Sequence, residues 1–303
     1  MHRMLRLLGR EFVIGVPYAW LAVFFFLPFL ILAYISFVDM GNDIHPFKPL
    51  WDSATGVVNL KYENYLSIFR AEGRALFDTL YLEAYGRSIQ YAFATASLCL
   101  AIGYPFAYVL ARASAHLRPA LLMMVMLPFW TSFLLRVYAW KGILADRGVL
   151  NQALMALGLV SEPVQMLYTD VSMLLGMCYV YLPFMVLPLY ANLVKMDYRL
   201  LEAAYDLGTT PWKAFWLVTV PLSRAGIVAG FMLVFIPALG EFVIPSLLGG
   251  PENLMIGRVV WDEMFTANNW PRAAALAVVM IGLIVVPLAL YYRHRGEADA
   301  AAH

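Results

Sequence analysis

The sequence predicts an all-α polytopic membrane protein, with six transmembrane helices in a single domain covering residues 1–303. The first observation is composition, because hydrophobic residues make up 62% of the chain and charged residues 14%. Soluble domains are typically about 45–50% apolar and roughly 25% charged. The second is that six apolar segments reach the ~20 residues that a helix needs to cross a bilayer. The third is a single polar helix, predicted between the fourth and fifth segments.

The six predicted spans follow one another along the whole chain. The first is a retained helix rather than a cleaved signal peptide, because its apolar core is too long and no small-x-small cleavage site precedes Asp39. Prolines recur inside the spans, which predicts kinked helices in a packed bundle. The predicted spans are residues 14–38, 88–111, 119–140, 171–194, 225–248 and 273–292.

Basic residues in the short loops set the predicted orientation, since they favour the cytoplasmic side. With an even number of spans, both termini are then cytoplasmic. The longer, more acidic loops 39–87, 141–170 and 249–272 would lie outside, with a short amphipathic helix in 148–160. The basic residues used are Arg3, Arg6, Arg10, Arg112, Arg118, Arg293 and Arg295.

Several classes of chemistry have no motif in this chain. There is no G-x-x-x-x-G-K-[ST] phosphate loop, no H-E-x-x-H and no G-x-S-x-G, and the histidines and cysteines show no metal-ligand spacing. We therefore expect a non-catalytic protein with no catalytic residues, no metal site and no cofactor of its own. The net charge of +1 gives no indication of a nucleic-acid partner. A transporter, a channel or a scaffold remains.

The stretch EAAYDLGTTPWKAFWLVTVP, residues 202–221, is polar at its start and lies on the predicted cytoplasmic side, within loop 195–224. Leu200, Ala204 and Leu207 are spaced to share one helical face. Glu202 and Asp206 are four residues apart, a repulsive spacing that favours a partner supplying cations or hydrogen-bond donors.

The small side chains of Ala203 and Ala204 would let another surface approach this helix closely. Gly208 suits the helix end, where a positive φ is wanted, and a new helix can start at Pro211. The alternative on spacing alone is a linker helix that lies on the membrane surface.

The spacing of this stretch resembles the cytoplasmic loop of the permease subunits of ATP-binding-cassette importers. That family has EAA, three residues, glycine, nine residues and a closing I-x-L-P, and here Glu202, Ala203, Ala204 and Gly208 match, with VTVP at 218–221 as the closing element. The resemblance implies that this helix docks on a separate ATPase subunit, which binds the ATP. It makes Glu202, Ala203, Ala204, Asp206 and Gly208 the expected coupling residues.

Three longer stretches resemble the polyamine importer permeases, most of all the putrescine type. They are LPFWTSFLLRVYAW, LVFIPALGEFVIPSLLGGPENLMIGRVVWDEMF and NNWPRAAA. The resemblance implies a polyamine cargo, putrescine or spermidine. It also implies a second, homologous permease subunit forming a heterodimer in the bilayer, two ATPase subunits and a periplasmic polyamine-binding protein.

Four residues are candidates for the substrate pathway. Glu241, at membrane depth, is either an anionic station for a substrate ammonium or the partner of Arg136 in a structural pair. Trp130 could offer an aromatic face to a cation, or it packs against lipid or the protein core. Asp262 and Glu263 lie among aromatic residues, which suits a diamine and equally a docking edge for the receptor.

Two other functions are compatible with the sequence. One is the same importer with another small cargo, such as an anion or iron. The other is a self-contained secondary transporter or scaffold, for which we would expect inverted repeats that the sequence does not show. The small-xxx-small pair Gly226 and Gly230 predicts close helix packing in any of these proteins.

Overall fold

The computed structural model describes residues 13–41, 46–51, 58, 60–69 and 80–301, with only the backbone described for 287, 288 and 290–301. These residues are predominantly helical, and the only β-structure among them is the isolated bridges Met40–Phe47 and Trp51–Val58. Arg3, Arg6 and Arg10, which support the predicted orientation, lie outside the described residues. The contacts divide the chain into two compact units, residues 1–82 with 259–303 and residues 83–258.

The first unit contains the two ends of the chain. Helix α1, Val13–Ser36, packs against the last helix, Trp270–Ala301. The short helix α2, Glu63–Leu66, contacts the last helix. It is also bound to the end of α1, because the Asn64 amide donates to the carbonyls of Ser36 and Val38, at 2.9 Å each. The Ser36 and Tyr65 hydroxyls are also hydrogen-bonded, at 2.7 Å.

The second unit contains the remaining long helices. Helix α3, Leu80–Arg112, has all but its first turn here. It is followed by α4, Arg118–Met126, α5, Phe133–Leu144, and α6, Val149–Ala156. Helix α7, Asp170–Leu193, starts at a capping box formed by Thr169 and Ser172 and continues through Pro183 and Pro188. Then come α8, Arg199–Asp206, α9, Pro211–Leu222, α10, Arg224–Leu239, and α11, Val243–Leu248. Helix α12, Ile256–Trp261, begins in the second unit, and its last three residues belong to the first.

Helices α7 and α10 form the most extensive contact of the second unit, and two glycines make it possible. A Cβ atom added at Gly226 would lie 2.8 Å from Asn192 Cβ, and one added at Gly230 would lie 2.8 Å from Met185 Sδ. Only a residue without a side chain fits at such separations. The close packing predicted for this pair of glycines is therefore confirmed.

We expect Gly226→Ala to destabilise the protein by about 1–3 kcal/mol, because the new methyl group would overlap Asn192 close to its backbone. The measurement is the midpoint of thermal unfolding in detergent. Gly142→Ala in α5 is the matched control, since nothing lies within 4 Å of its added Cβ. It should leave the midpoint unchanged or raise it slightly, because alanine favours a helix more than glycine does. Equal midpoints for the two variants would contradict the packing argument.

Two predicted spans are not continuous helices. The span predicted at 119–140 breaks where a 3₁₀ turn, Leu127–Trp130, leads to extended backbone at Thr131, and the helical segments on either side are bent by 87°. Pro128 lacks the N–H that a continuing helix needs. The span predicted at 225–248 ends at Leu239, and α11 starts only at Val243.

The number of spans depends on how these breaks are counted. Among the described residues, three helices are long and apolar enough to cross a membrane: Val13–Ser36, Leu80–Arg112 and Asp170–Leu193. There are up to five if each of two bent pairs is one span, the second pair being α9 and α10 with a bend of 68°. In the last helix, Trp270–Ala301, the apolar stretch among residues with described side chains is Trp270–Val286, which is shorter than these spans. The count of six remains a prediction.

Candidate functional site

Helix α8 ends in the manner that its sequence predicts. Gly208 has φ +79°, in the left-handed region that glycine adopts readily. The N–H of Thr209 donates to the carbonyl of Ala204 at 3.0 Å, and that of Gly208 donates to Tyr205 at 2.9 Å, which together form a Schellman motif. Helix α9 then begins at Pro211, with the Thr210 hydroxyl accepting from the Lys213 N–H. This geometry terminates α8 sharply and presents it as a separate short helix.

The leucines of α8 differ in their burial. Leu201 is buried, whereas Leu200 is 49% exposed and Leu207 is 86% exposed, so this chain leaves most of the Leu200–Ala204–Leu207 face uncovered. Helix α8 packs against the first part of α9. The outward face consequently combines carboxylate, small and leucine side chains.

The expected coupling residues lie on or beside this outward face. Glu202, Ala203, Asp206 and Gly208 are exposed, and Ala204 is half-buried. Trp212, in the first turn of α9, is also exposed, at 71%. An uncovered apolar surface bordered by polar side chains is typical of a site that contacts another protein or the membrane surface.

Glu241 lies in the break between α10 and α11 and is buried. Its Oε1 atom accepts from the N–H groups of Phe242, Val243 and Ile244, at 3.0–3.4 Å. Its Oε2 atom accepts a hydrogen bond from the hydroxyl of Tyr181, which lies in α7. The carboxylate therefore holds the start of α11 and links it to α7. Nothing in the apolar sequence around Tyr181 indicates this partnership.

Arg136 in α5 is buried as well, but its contacts are different. Its guanidinium carbon lies 5.2 Å from the centre of the Phe129 ring, and Nε and Nη1 have no hydrogen-bond partner. Within the described part of the chain no ion pair joins Arg136 to Glu241, so the structural pair considered from the sequence is not formed. Aromatic rings lie between them instead, since Phe184 contacts both Phe129 and Tyr181.

Trp130 follows Phe129 at the break between α4 and α5. It is 79% exposed, so it does not pack in the core of this chain. Its indole ring is free to contact lipid, a partner subunit or a substrate.

Asp262 and Glu263 belong to the first unit and form one turn after α12. Asp262 is exposed, beside Trp261 and Phe265, whose ring centres are 4.2 Å apart. The Glu263 carboxylate accepts from the Tyr81 hydroxyl at 2.6 Å and lies 4.0 Å from an Arg272 nitrogen. The Glu263 carboxylate is therefore held by side chains of the first unit, and Asp262 is solvent-exposed.

Long apolar helices that are able to cross a bilayer indicate an integral membrane protein. Over residues 8–295 the chain matches the family described as binding-protein-dependent transport system inner membrane component, and it belongs to that family. It is thus a permease subunit of an ATP-binding-cassette importer.

Individual relatives agree with this assignment. The chain is 35% identical over 285 residues to the spermidine/putrescine transport system permease protein PotB of Haemophilus influenzae, covering 94% of this chain and 93% of that protein. A crystal structure of a bacterial ABC transporter that imports alginate has the same fold, with a TM-score of 0.63 and 18% identity over 98% of this chain and 99% of that one. A second structure, with an alginate pentasaccharide-bound periplasmic protein, has a TM-score of 0.60 and 17% identity over 94% of both chains.

Proposed function

We propose that this permease translocates polyamines, putrescine or spermidine, across the bacterial inner membrane. The observation that carries the proposal is 35% identity over 94% of the chain to a spermidine/putrescine permease. Six spans with both termini in the cytoplasm are part of the proposal. They place α8 and loop 195–224 on the side where ATP is available.

The proposed transporter contains this chain, a second homologous permease, two ATPase subunits that bind the ATP and a periplasmic polyamine-binding protein. Helix α8 is the proposed coupling helix. Its exposed Glu202 and Asp206 would meet cationic or N–H donors of the ATPase, and Ala203 and Ala204 would allow close contact. Gly208 supports this role by ending the helix at the edge of the contact.

The proposed substrate pathway includes Trp130, Glu241, Asp262 and Glu263. The exposure of Trp130 and Asp262 supports direct contact with a polyamine, because an indole face and a carboxylate both attract ammonium groups. Glu241 and Glu263 are already hydrogen-bonded, so we assign them the positioning of the surrounding helices.

The cargo is tested with the complete transporter in nanodiscs together with its periplasmic receptor. Putrescine or spermidine should stimulate ATP hydrolysis several-fold, while molybdate and sulfate should not. Stimulation by an anion and not by a polyamine would replace the polyamine proposal with the alternative cargo. Polyamine transport into liposomes by this chain alone would instead show a secondary transporter.

A further inference from the structure

The end of helix α3 contacts the segment between α7 and α10, although more than 80 residues separate them in sequence. The ring of Phe215, in α9, meets Tyr104 and Tyr108 edge to face, at 5.5 and 5.9 Å between ring centres. Tyr104 and Tyr108 are four residues apart and therefore lie on the same face of α3. Phe215 thus rests on two successive turns of that helix.

A hydrogen bond joins the same part of α3 to the bend between α9 and α10. The Tyr104 and Ser223 hydroxyl oxygens are 2.7 Å apart, and both residues are buried. Ser223 also donates to the carbonyl of Val220, at 3.1 Å, so its single hydrogen is used there and Tyr104 is the donor to Ser223. Tyr104 therefore contacts α9 through its ring and the bend through its hydroxyl.

A third contact lies just before α8. The Arg112 guanidinium in the last turn of α3 lies 4.7 Å from the centre of the Tyr108 ring and 5.5 Å from that of Tyr198. Tyr198 immediately precedes α8. The loop segment is consequently held against α3 near both of its ends.

We propose that Tyr104, Phe215 and Ser223 are positioning residues that transmit the movement of the ATPase-docked segment to α3. Closely packed rings compress little, so a displacement of α9 displaces the face of α3 that it contacts. Separating Tyr104 from Ser223 would leave buried hydroxyl groups without partners, which opposes independent movement of α3 and α9.

By its rise per residue α3 is about 50 Å long, enough to carry the displacement across a bilayer. Displacement of the docked segment would then move α3 as well as α7 and α10, to which the segment is directly connected along the chain. The inference rests on the ATP-driven transport proposed above.

The first test compares polyamine uptake per ATP hydrolysed for the complete transporter in liposomes. Tyr104→Phe and Ser223→Ala should each lower this ratio by about threefold or more, with ATP hydrolysis maintained, because the ATPase-facing residues are unchanged. The double variant should lower the uptake per ATP no further than either single variant, because each of the three proteins lacks the same hydrogen bond. Tyr179→Phe in α7 is the matched control, because its hydroxyl makes no hydrogen bond within the described part of the chain. An unchanged ratio, a parallel loss of hydrolysis, or additive effects would overturn the inference.

The second test does not depend on the cargo. Deuterium exchange is measured on the complete transporter before and after trapping with ATP and vanadate. In the wild type we expect exchange to change in both segments, 104–112 and 198–223, whereas in Tyr104→Phe/Ser223→Ala only 198–223 should change. The same response of segment 104–112 in both proteins would refute the inference. If polyamines fail to be transported but this difference is seen, only the proposed cargo is wrong.

Discussion

Glu202→Arg should reduce ATP-driven uptake by about 100-fold or more, while the permease still inserts into the membrane and folds. Glu202 is exposed on α8, so the substitution disturbs no buried contact of this chain. In the proposed complex it would place a positive charge against the cationic or N–H groups that the ATPase offers to a carboxylate. Juxtaposed like charges at an interface destabilise it by several kcal/mol. The measurements are uptake and co-purification of the ATPase with the permease.

Glu202→Gln is the matched variant for this prediction. It keeps the size of the side chain and one acceptor oxygen, but it removes the charge and replaces the second acceptor with an NH2 donor, so we expect an intermediate loss of uptake. Thermal unfolding of the isolated permease should be unchanged for both variants. Wild-type uptake and ATPase retention by Glu202→Arg would rule out α8 as the docking helix.

Glu241→Ala is expected to abolish uptake by disrupting the break between α10 and α11. It removes the acceptor of the Tyr181 hydroxyl and of the N–H groups that begin α11, and leaving a buried donor unsatisfied costs about 1–3 kcal/mol. Helix α11 would then lose its fixed position against α7. The measurements are uptake and the unfolding midpoint of the permease, both of which should fall.

Glu241→Gln separates the positioning role of Glu241 from a direct role of its charge. The amide oxygen can still accept from the Val243 N–H, and the amide nitrogen can donate to Tyr181, whose hydroxyl then acts as acceptor. The Tyr181 hydrogen then has no acceptor, so we expect an unfolding midpoint between those of the wild type and Glu241→Ala, and uptake reduced far less than in Glu241→Ala. Loss of uptake equal to that of Glu241→Ala, in a permease that is more stable than Glu241→Ala, would show instead that the negative charge meets the substrate.

The features that depend on local chemistry could be predicted from the sequence. The end of α8 at Gly208 follows from the conformational freedom of glycine, and the close contact at Gly226 and Gly230 follows from the absence of side chains. Long apolar segments likewise predict long helices such as α3 and α7. These signals lie within a few residues of the feature that they determine.

The features that depend on distant contacts could not be predicted in this way. Leu201 is buried while Leu200 and Leu207 are exposed, and the spacing of the three along α8 does not show which of them the rest of the chain covers. The Glu241 carboxylate accepts a hydrogen bond from Tyr181, which is 60 residues away along the chain. The prolines in the sequence indicate where a helix can kink or end. They do not indicate that the helix ends at Pro128, whereas α7 continues through Pro183 and Pro188.

The exposed Leu207 and Trp212 have a consequence for how the transporter is made in the cell. With α8 and α9 in the cytoplasm, as proposed, an unassembled permease presents these side chains to water. Chaperones bind proteins that expose apolar side chains, and proteases degrade them. Subunits left over from unequal synthesis would therefore be short-lived, so that degradation balances the amounts of permease and ATPase.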